Sequence, residues 1–185
     1  DAESKTVAWA SGSEGTVLRT VDGGRTWSSV GPPGTRELEF RDIEAFGRHD
    51  ATILSVGTGD ASRIYRTEDG GDSWDLVFQN PDERAFYDCI DFLDRRHGLA
   101  LSDPIAGKFR ILATNDGGRS WQVSPRAGMP PALEGEFAFA ASGTCIARVR
   151  GGLVIASGGS AARLHVLRDG EKRWQAVDSG MGRRT

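Results

Sequence analysis

The sequence predicts an all-β protein, a β-propeller of four-stranded antiparallel blades, and three observations carry that prediction. The first is a repeat. The pattern Asp-Gly-Gly-x-(Ser/Thr)-Trp occurs as Asp22-Gly23-Gly24-Arg25-Thr26-Trp27, Asp69-Gly70-Gly71-Asp72-Ser73-Trp74 and Asp116-Gly117-Gly118-Arg119-Ser120-Trp121. The tryptophans are 47 residues apart both times, and a worn copy, Asp169-Gly170-Glu171-Lys172-Arg173-Trp174, follows 53 residues on. A period of roughly 40–50 residues is the signature of propeller blades. The second observation is that β-rich runs flank each copy, such as Arg63-Ile64-Tyr65-Arg66-Thr67 before the turn and Trp74-Asp75-Leu76-Val77-Phe78 after it. Two such runs around a glycine-bearing turn read as a hairpin. The third is composition: 25 glycines without a strict period suit a turn-rich β protein.

Each element follows by anchoring on a tryptophan. The second repeat offers an inner strand at 38–46, then 52–56, 63–67 and 74–78. The third offers 85–92, 98–102, 109–114 and 121–123, with Ser102-Asp103-Pro104 closing a strand and turning. The fourth has a longer entry loop over 125–133, then strands near 137–146, 153–157, 163–167 and 174–177. The blades are therefore expected at 38–79, 85–125 and 137–178. A partial blade is expected at 7–31, where Val7-Ala8-Trp9-Ala10-Ser11-Gly12 matches the second strand of later repeats. Six residues precede it, too few for an inner strand and its turn. The expectation is about four blades, within a larger ring of six to eight, the remainder lying in the parent chain; an open arc would leave sheet faces bare.

The chain has 23 basic and 26 acidic side chains, a net charge of −3, and 38% hydrophobic residues, an ordinary globular balance. No basic stripe supports nucleic-acid binding, and Arg173, Arg183 and Arg184 read as a solvated tail. No apolar run approaches the ~18 residues of a membrane span. The chain starts Asp1-Ala2-Glu3-Ser4 without Met, which suits a removed leader. Cys89 and Cys145 fall in corresponding regions of adjacent repeats, so a disulfide is conceivable, and buried free thiols are the blander reading.

Chemistry is expected where propellers bind ligands, on inner strands at the funnel mouth. Asp42 in Phe40-Arg41-Asp42 lies 15 residues after Trp27, and Asp88 in Phe86-Tyr87-Asp88 lies 14 after Trp74. Counting 15 from Trp121 reaches Glu136, whereas counting back from the next strand reaches Ser142. Carboxylates recurring at one inner-strand position line one ring of the channel, where like charges raise each other's pKa or recruit a cation. The alternative is that each one bonds backbone amides of the next blade and stitches the ring. The funnel candidates are Arg41, Asp42, Tyr87, Asp88, Asp103, Glu136 and Ser142, with Asp91 and Ser102 beside them. Gly57-Thr58-Gly59-Asp60-Ala61-Ser62 has no helix after it and reads as a hairpin loop. His49, His97 and His165 sit at unlike repeat positions, so neither a metal nor a cofactor is expected.

The repeated pattern resembles the Asp-box, the bacterial neuraminidase repeat, over nearly the whole chain. The resemblance implies that Asp22, Asp69, Asp116 and Asp169, with Trp27, Trp74, Trp121 and Trp174, are turn staples on the blade periphery, each tryptophan folded under its turn. Sialidases share these boxes. Their Phe-Arg-Ile-Pro element precedes the first box, whereas here Phe109-Arg110-Ile111 is followed by Leu112 and leads into the third, and neither Tyr65 nor Tyr87 has a partnering Glu. A nearer likeness, carried by Val7 to Thr20 and by Phe40-Arg41-Asp42-Ile43-Glu44-Ala45-Phe46, is to bacterial propellers of the photosystem II stability/assembly factor type. Some of those are labelled oxidoreductase or glycosyl hydrolase. That resemblance implies a periplasmic or secreted, non-catalytic propeller that binds a protein or a small polar or carbohydrate ligand. The other reading is a glycan-active hydrolase of sialidase-like fold.

Overall fold

A computed structural model of the chain describes residues 1–125, 128–139 and 144–180. Among them the only helical element is a single 3-10 turn, Gly59–Ala61, inside the predicted hairpin loop. Three strands form the first sheet: β1 (Ala8–Ser11), β2 (Val17–Thr20) and β3 (Ser28–Ser29). The second holds β4 (Glu39–Ala45), β5 (Ala51–Val56), β6 (Arg63–Thr67) and β7 (Asp75–Gln79). The third holds β8 (Tyr87–Phe92), β9 (Gly98–Ile105), β10 (Lys108–Thr114) and β11 (Gln122–Val123). In the last region β12 (Glu136–Phe137) pairs only with β15 (Gly158–Gly159). There β13 (Ile146–Val149), β14 (Gly152–Ala156), β16 (Arg163–Arg168) and β17 (Gln175–Asp178) make the four-stranded sheet. Every pairing is antiparallel between sequential neighbours, apart from β12 with β15 and the step from β14 to β16.

Three apolar cores separate the sheets. Trp9 and Val17 of the first sheet meet Phe40, Ile43, Ile53 and Tyr65 of the second. Leu54 and Ile64 of the second meet Tyr87, Ile90 and Leu112 of the third. Leu101, Phe109 and Ile111 of the third meet Ile146 and Ile155 of the fourth. Sheets stacked face to face, each buried on its neighbour, account for strands that are apolar on both faces, such as β5, whose first five residues are all buried.

The repeated turn is built the same way three times. Asp22 Oδ1 accepts the Thr26 amide at 2.9 Å and Oδ2 the Thr26 hydroxyl at 2.7 Å, while Thr20 Oγ1 donates to Asp22 and accepts the Gly24 amide. Asp69 makes the same bonds with Ser73 and Thr67, and Asp116 with Ser120 and Thr114. The Thr26 hydroxyl and then its amide hold Asp22 at a pKa of about 2, and Ser73 does the same for Asp69. Both glycines of each turn take positive φ (Gly70 81°, Gly71 88°), a conformation that side chains with a Cβ rarely adopt. The fourth copy has Arg173 where the hydroxyl stands, and Asp169 instead pairs with Arg148 at 3.1 Å.

Four expectations are corrected. Ser102-Asp103-Pro104 is not a turn: β9 runs on to Ile105, held by the Asp103 amide on Phe86 O, and the chain reverses at Ala106-Gly107 with φ of 50° and 72°. The first six residues do reach an inner-strand position, because Asp1 exchanges both backbone bonds with Trp9 and Ala2 bridges Ala8. Trp27 is not buried under its turn but 45% exposed. Cys89 and Cys145 form a disulfide. The bond closes a loop of 56 residues' separation and ties the third sheet to the fourth. Replacing both cysteines by alanine is expected to cost about 2–4 kcal/mol in denaturant unfolding, the typical worth of a disulfide; an unchanged midpoint would contradict it.

Candidate ligand site on the inner strands

The innermost strands β4 and β8 each carry a bulge at the same place. Phe40 faces Ser55 and Tyr87 faces Ser102, and in both strands the next residue is extra. Arg41 is therefore the counterpart of Asp88, and Asp42 that of Cys89, so the spacings of 15 and 14 residues conceal a one-residue offset. Registers carry the alignment on. Ile43, Ile90 and Ile146 face Ile53, Ala100 and Ile155, and these face Tyr65, Leu112 and His165, each four residues before the aspartate of its box. Cys145 thus stands where Cys89 and Asp42 stand in the preceding sheets. One strand position crosses the gap twice, once by a carboxylate and once by a disulfide.

Asp42 is buried, with Oδ1 accepting the Ile43 amide at 2.9 Å and Oδ2 the Ile90 amide of the next sheet at 2.8 Å. Two other carboxylates reach across in the same sense: Asp1 Oδ2 accepts the Ala45 amide and Asp103 Oδ1 the Ala138 amide, both at 2.9 Å. These side chains stitch successive sheets together near the axis. Burial pushes Asp42 up to about 7 despite its two amide donors. Burial, then the charges of Asp42 and Asp91, pushes Glu44 up to about 8. Asp88 is 3% exposed, and its Oδ2 has no hydrogen-bond partner. Burial, then neighbouring Asp103, raises it to about 8.

The remaining candidates disperse. Arg41 is exposed and pairs with Glu39 at 2.6 Å. Tyr87 is not at a funnel mouth: its ring is buried against Phe78, 5.6 Å between centroids, because β8 presents it to the second sheet. Glu136 is not a member of an axial ring. It lies buried in the fourth region, paired bidentately with Arg163, and accepts bonds from Ser157 and the Leu133 amide with His165 Nε2 at 3.0 Å. Burial raises Glu136, but the bonds from Arg163, Ser157, the Leu133 amide and His165 together outweigh it and hold the carboxyl at about 2. Ser142, Arg183 and Arg184 lie outside the described residues. No group of three or more His, Cys, Asp or Glu side chains among the described residues is arranged to hold a metal.

The arrangement leaves an open cleft of about 410 Å³ at the inner strands, lined by Asp1, Ala10, Ser11, Arg41, Glu44 and Thr144 among others. It is polar and carries both signs of charge, suited to hydrogen-bonding a peptide or another polar group. A further device escaped the sequence reading. Three residues before the box aspartate stands Arg19 in one repeat and Arg66 in the next. Arg19 donates to Arg48 O and sits 5.4 Å over the Trp9 ring, and Arg66 Nε donates to Gly117 O at 2.8 Å in the following sheet's turn. Each arginine latches its sheet onto the next one. The only sequence signal was an arginine beside the box threonine in both copies.

Sheet order, antiparallel pairing and face-to-face cores agree with solved structures. YCF48 bound to D1 peptide matches 95% of this chain and 52% of its own, with a TM-score of 0.62 and 20% identity. This is the β-propeller fold. YCF48 from Cyanidioschyzon merolae matches the propeller over 100% of this chain and 56% of its own, with a TM-score of 0.67 and 19% identity. More distant likenesses are an ancestral GH74 enzyme (TM-score 0.60, 15% identity, 96% of this chain and 25% of that one) and NanB sialidase from Streptococcus pneumoniae (0.56, 14%, 88% and 28%). The propeller spans about half the length of the YCF48 chains it matches. No family model matches, and no curated protein does.

Proposed function

We propose that this chain is part of a non-catalytic propeller that binds a protein segment or small polar ligand outside the cytoplasm, its remaining blades supplied by the parent chain. The observation that carries this reading is the commitment of Asp42: both its oxygens are held by backbone amides, one from each of two sheets. A hydrolase of glycosidase type needs two free carboxyl groups roughly 5–10 Å apart across the site, and Asp42 is not free to be one of them. A propeller of this shape with a peptide bound, YCF48, supports a protein partner. The Cys89–Cys145 disulfide supports an oxidising compartment, where such bonds persist.

The test is capture from native extract by the intact parent protein, beside Arg41→Glu and Ala10→Arg, two exposed positions of the axial cleft. A partner bound by the parent and lost by both folded variants supports the reading. Turnover of a glycoside panel by the parent would overturn it.

The inner carboxylates also set a pH dependence. Asp42, Glu44 and Asp88 are raised to about 7, 8 and 8. A carboxyl raised on folding contributes stability that is present below its unfolded pKa near ~4 and lost as pH rises through the folded value. Glu136, held at about 2, is ionised throughout this window and does not offset the loss. The melting temperature is expected to fall by at least about 5 °C between pH 5 and pH 9. A melting temperature that is flat or rising by calorimetry would refute the burial of these groups.

A further inference from the structure

The gap between the third and fourth sheets is not closed as the other two are. In the first gap, Gly71 brings the turn so near that a Cβ on it would lie 2.6 Å from Val30, and Trp74 stacks on Trp9. In the second, a Cβ on Gly118 would lie 3.2 Å from Thr52 Oγ1 of the second sheet, and Phe92, on which Trp121 stacks, stacks in turn on Phe46. The fourth turn has Glu171 at this position, without positive φ, and its close approach is made instead to Gly128 of the entry loop, whose O accepts the Trp174 amide at 2.9 Å. The arginine latch is missing too: the residue before Thr114 is Ala113, where Arg19 and Arg66 stand in the earlier sheets.

Between these two sheets lies a cavity of about 210 Å³, walled by Phe109, Ile111, Met129, Leu153, Leu167 and Trp174. Leu99, Ser124 and Pro125 line both it and an adjoining groove of about 420 Å³ that also runs past Ala113. Among the described residues one cation reaches the cavity, Lys172, whose side chain is exposed and pairs with no carboxylate there. An apolar cavity of ~150 Å³ stays dry and takes up benzene, so this one has room for a single aromatic ring with a short tail. A buried apolar wall with one unpaired ammonium at its rim is complementary to a ligand with an apolar body and an anionic end.

We infer that the cleft between the third and fourth sheets is a binding site for a small aromatic carboxylic acid, its ring in the cavity and its carboxylate on Lys172. The ring replaces the packing that the arginine latch and close turn supply elsewhere, and the site is separate from the axial cleft. The probe is 4-phenylbutyrate, titrated by calorimetry and ligand-observed NMR against the intact protein, with 4-phenylbutanol and 4-phenylbutylamine as charge controls. Saturable binding is expected with a dissociation constant on the order of 1 mM or tighter, the range a ligand of about a dozen heavy atoms supports. The acid should bind about tenfold tighter than the alcohol, the worth of one charge-assisted bond, and the amine weakest. Lys172→Gln should bring the acid level with the alcohol while leaving the alcohol unchanged. Leu153→Trp, which fills the cavity, and Ala113→Arg, which restores the latch beside the entrance, should each reduce binding of both ligands. Thermal melts show which variants are folded, and either filling variant suffices. Failure of the acid to saturate, equal affinity for acid and amine, or undiminished binding in a folded filling variant would overturn the assignment.

Discussion

Trp121→Ala is expected to lower stability by about 3–5 kcal/mol, whereas Trp27→Ala, the same position of the same motif, should lower it by less than about 1 kcal/mol. Trp121 is 7% exposed, stacks edge-on against Phe92 at 5.8 Å between centroids, and donates its indole N–H to Gly118 O at 3.2 Å. Its removal opens a cavity in the core between the second and third sheets and takes away an aromatic pair. Trp27 has the same turn beside it but 45% of its surface in water. The tryptophan's value therefore lies in the apolar core it enters, not in the turn sequence that the two share. Trp74, which donates to Val30 O in the preceding sheet and stacks on Trp9, belongs with Trp121. Urea unfolding of the three alanine variants checks this. Equal losses at Trp27 and Trp121 would mean that the turn alone is the staple.

The second large effect is expected at Glu136. Its carboxylate accepts from both Arg163 Nε and Nη2, from Ser157 and from the Leu133 amide, and it faces the buried His165. His165 is pushed below its ordinary range, first by burial, and is held neutral with Nε2–H on the glutamate. Glu136→Ala removes the acceptor and leaves the half-buried Arg163 cation and the His165 ring without it. Breaking a buried pair from one side costs about 3–5 kcal/mol, mostly through the charge left behind. The double variant Glu136→Ala/Arg163→Met removes both charges and should recover part of that loss. Unfolding midpoints for the two variants decide the matter, and a double variant no better than the single one would show that packing, not the stranded charge, sets the cost. His165 Nδ1 is buried without a partner, and the ring lies against Phe109 at 5.0 Å between centroids.

Much of this fold was legible in the sequence because its information is local. A hairpin turn is specified by residues within a span of six: Asp22 bonds Thr26, and Gly23 and Gly24 take the positive φ that the turn requires. Flanking β-rich runs then had one way to pair, and the strands of the second and third sheets lie within a few residues of where the repeat places them. The exception at Ser102-Asp103-Pro104 arose because a long-range bond, the Asp103 amide to Phe86 O, holds the strand past its apparent stop.

The sequence by itself determined the repeat, the turn chemistry, the strand order and hence the propeller, since each depends on contacts inside one blade. Only the tertiary structure decided what crosses between blades. A bulge shifted Asp42 onto the Cys89 position, carried Tyr87 into a core and put Asp88 where Arg41 stands. A buried ion pair drew Glu136 away from the axis. Packing between the third and fourth sheets left a cavity walled by Phe109, Leu153 and Trp174. The physical reason is that a side chain's neighbour across a gap is set by register and by the face it occupies, and a one-residue slip reverses that face without altering any local pattern.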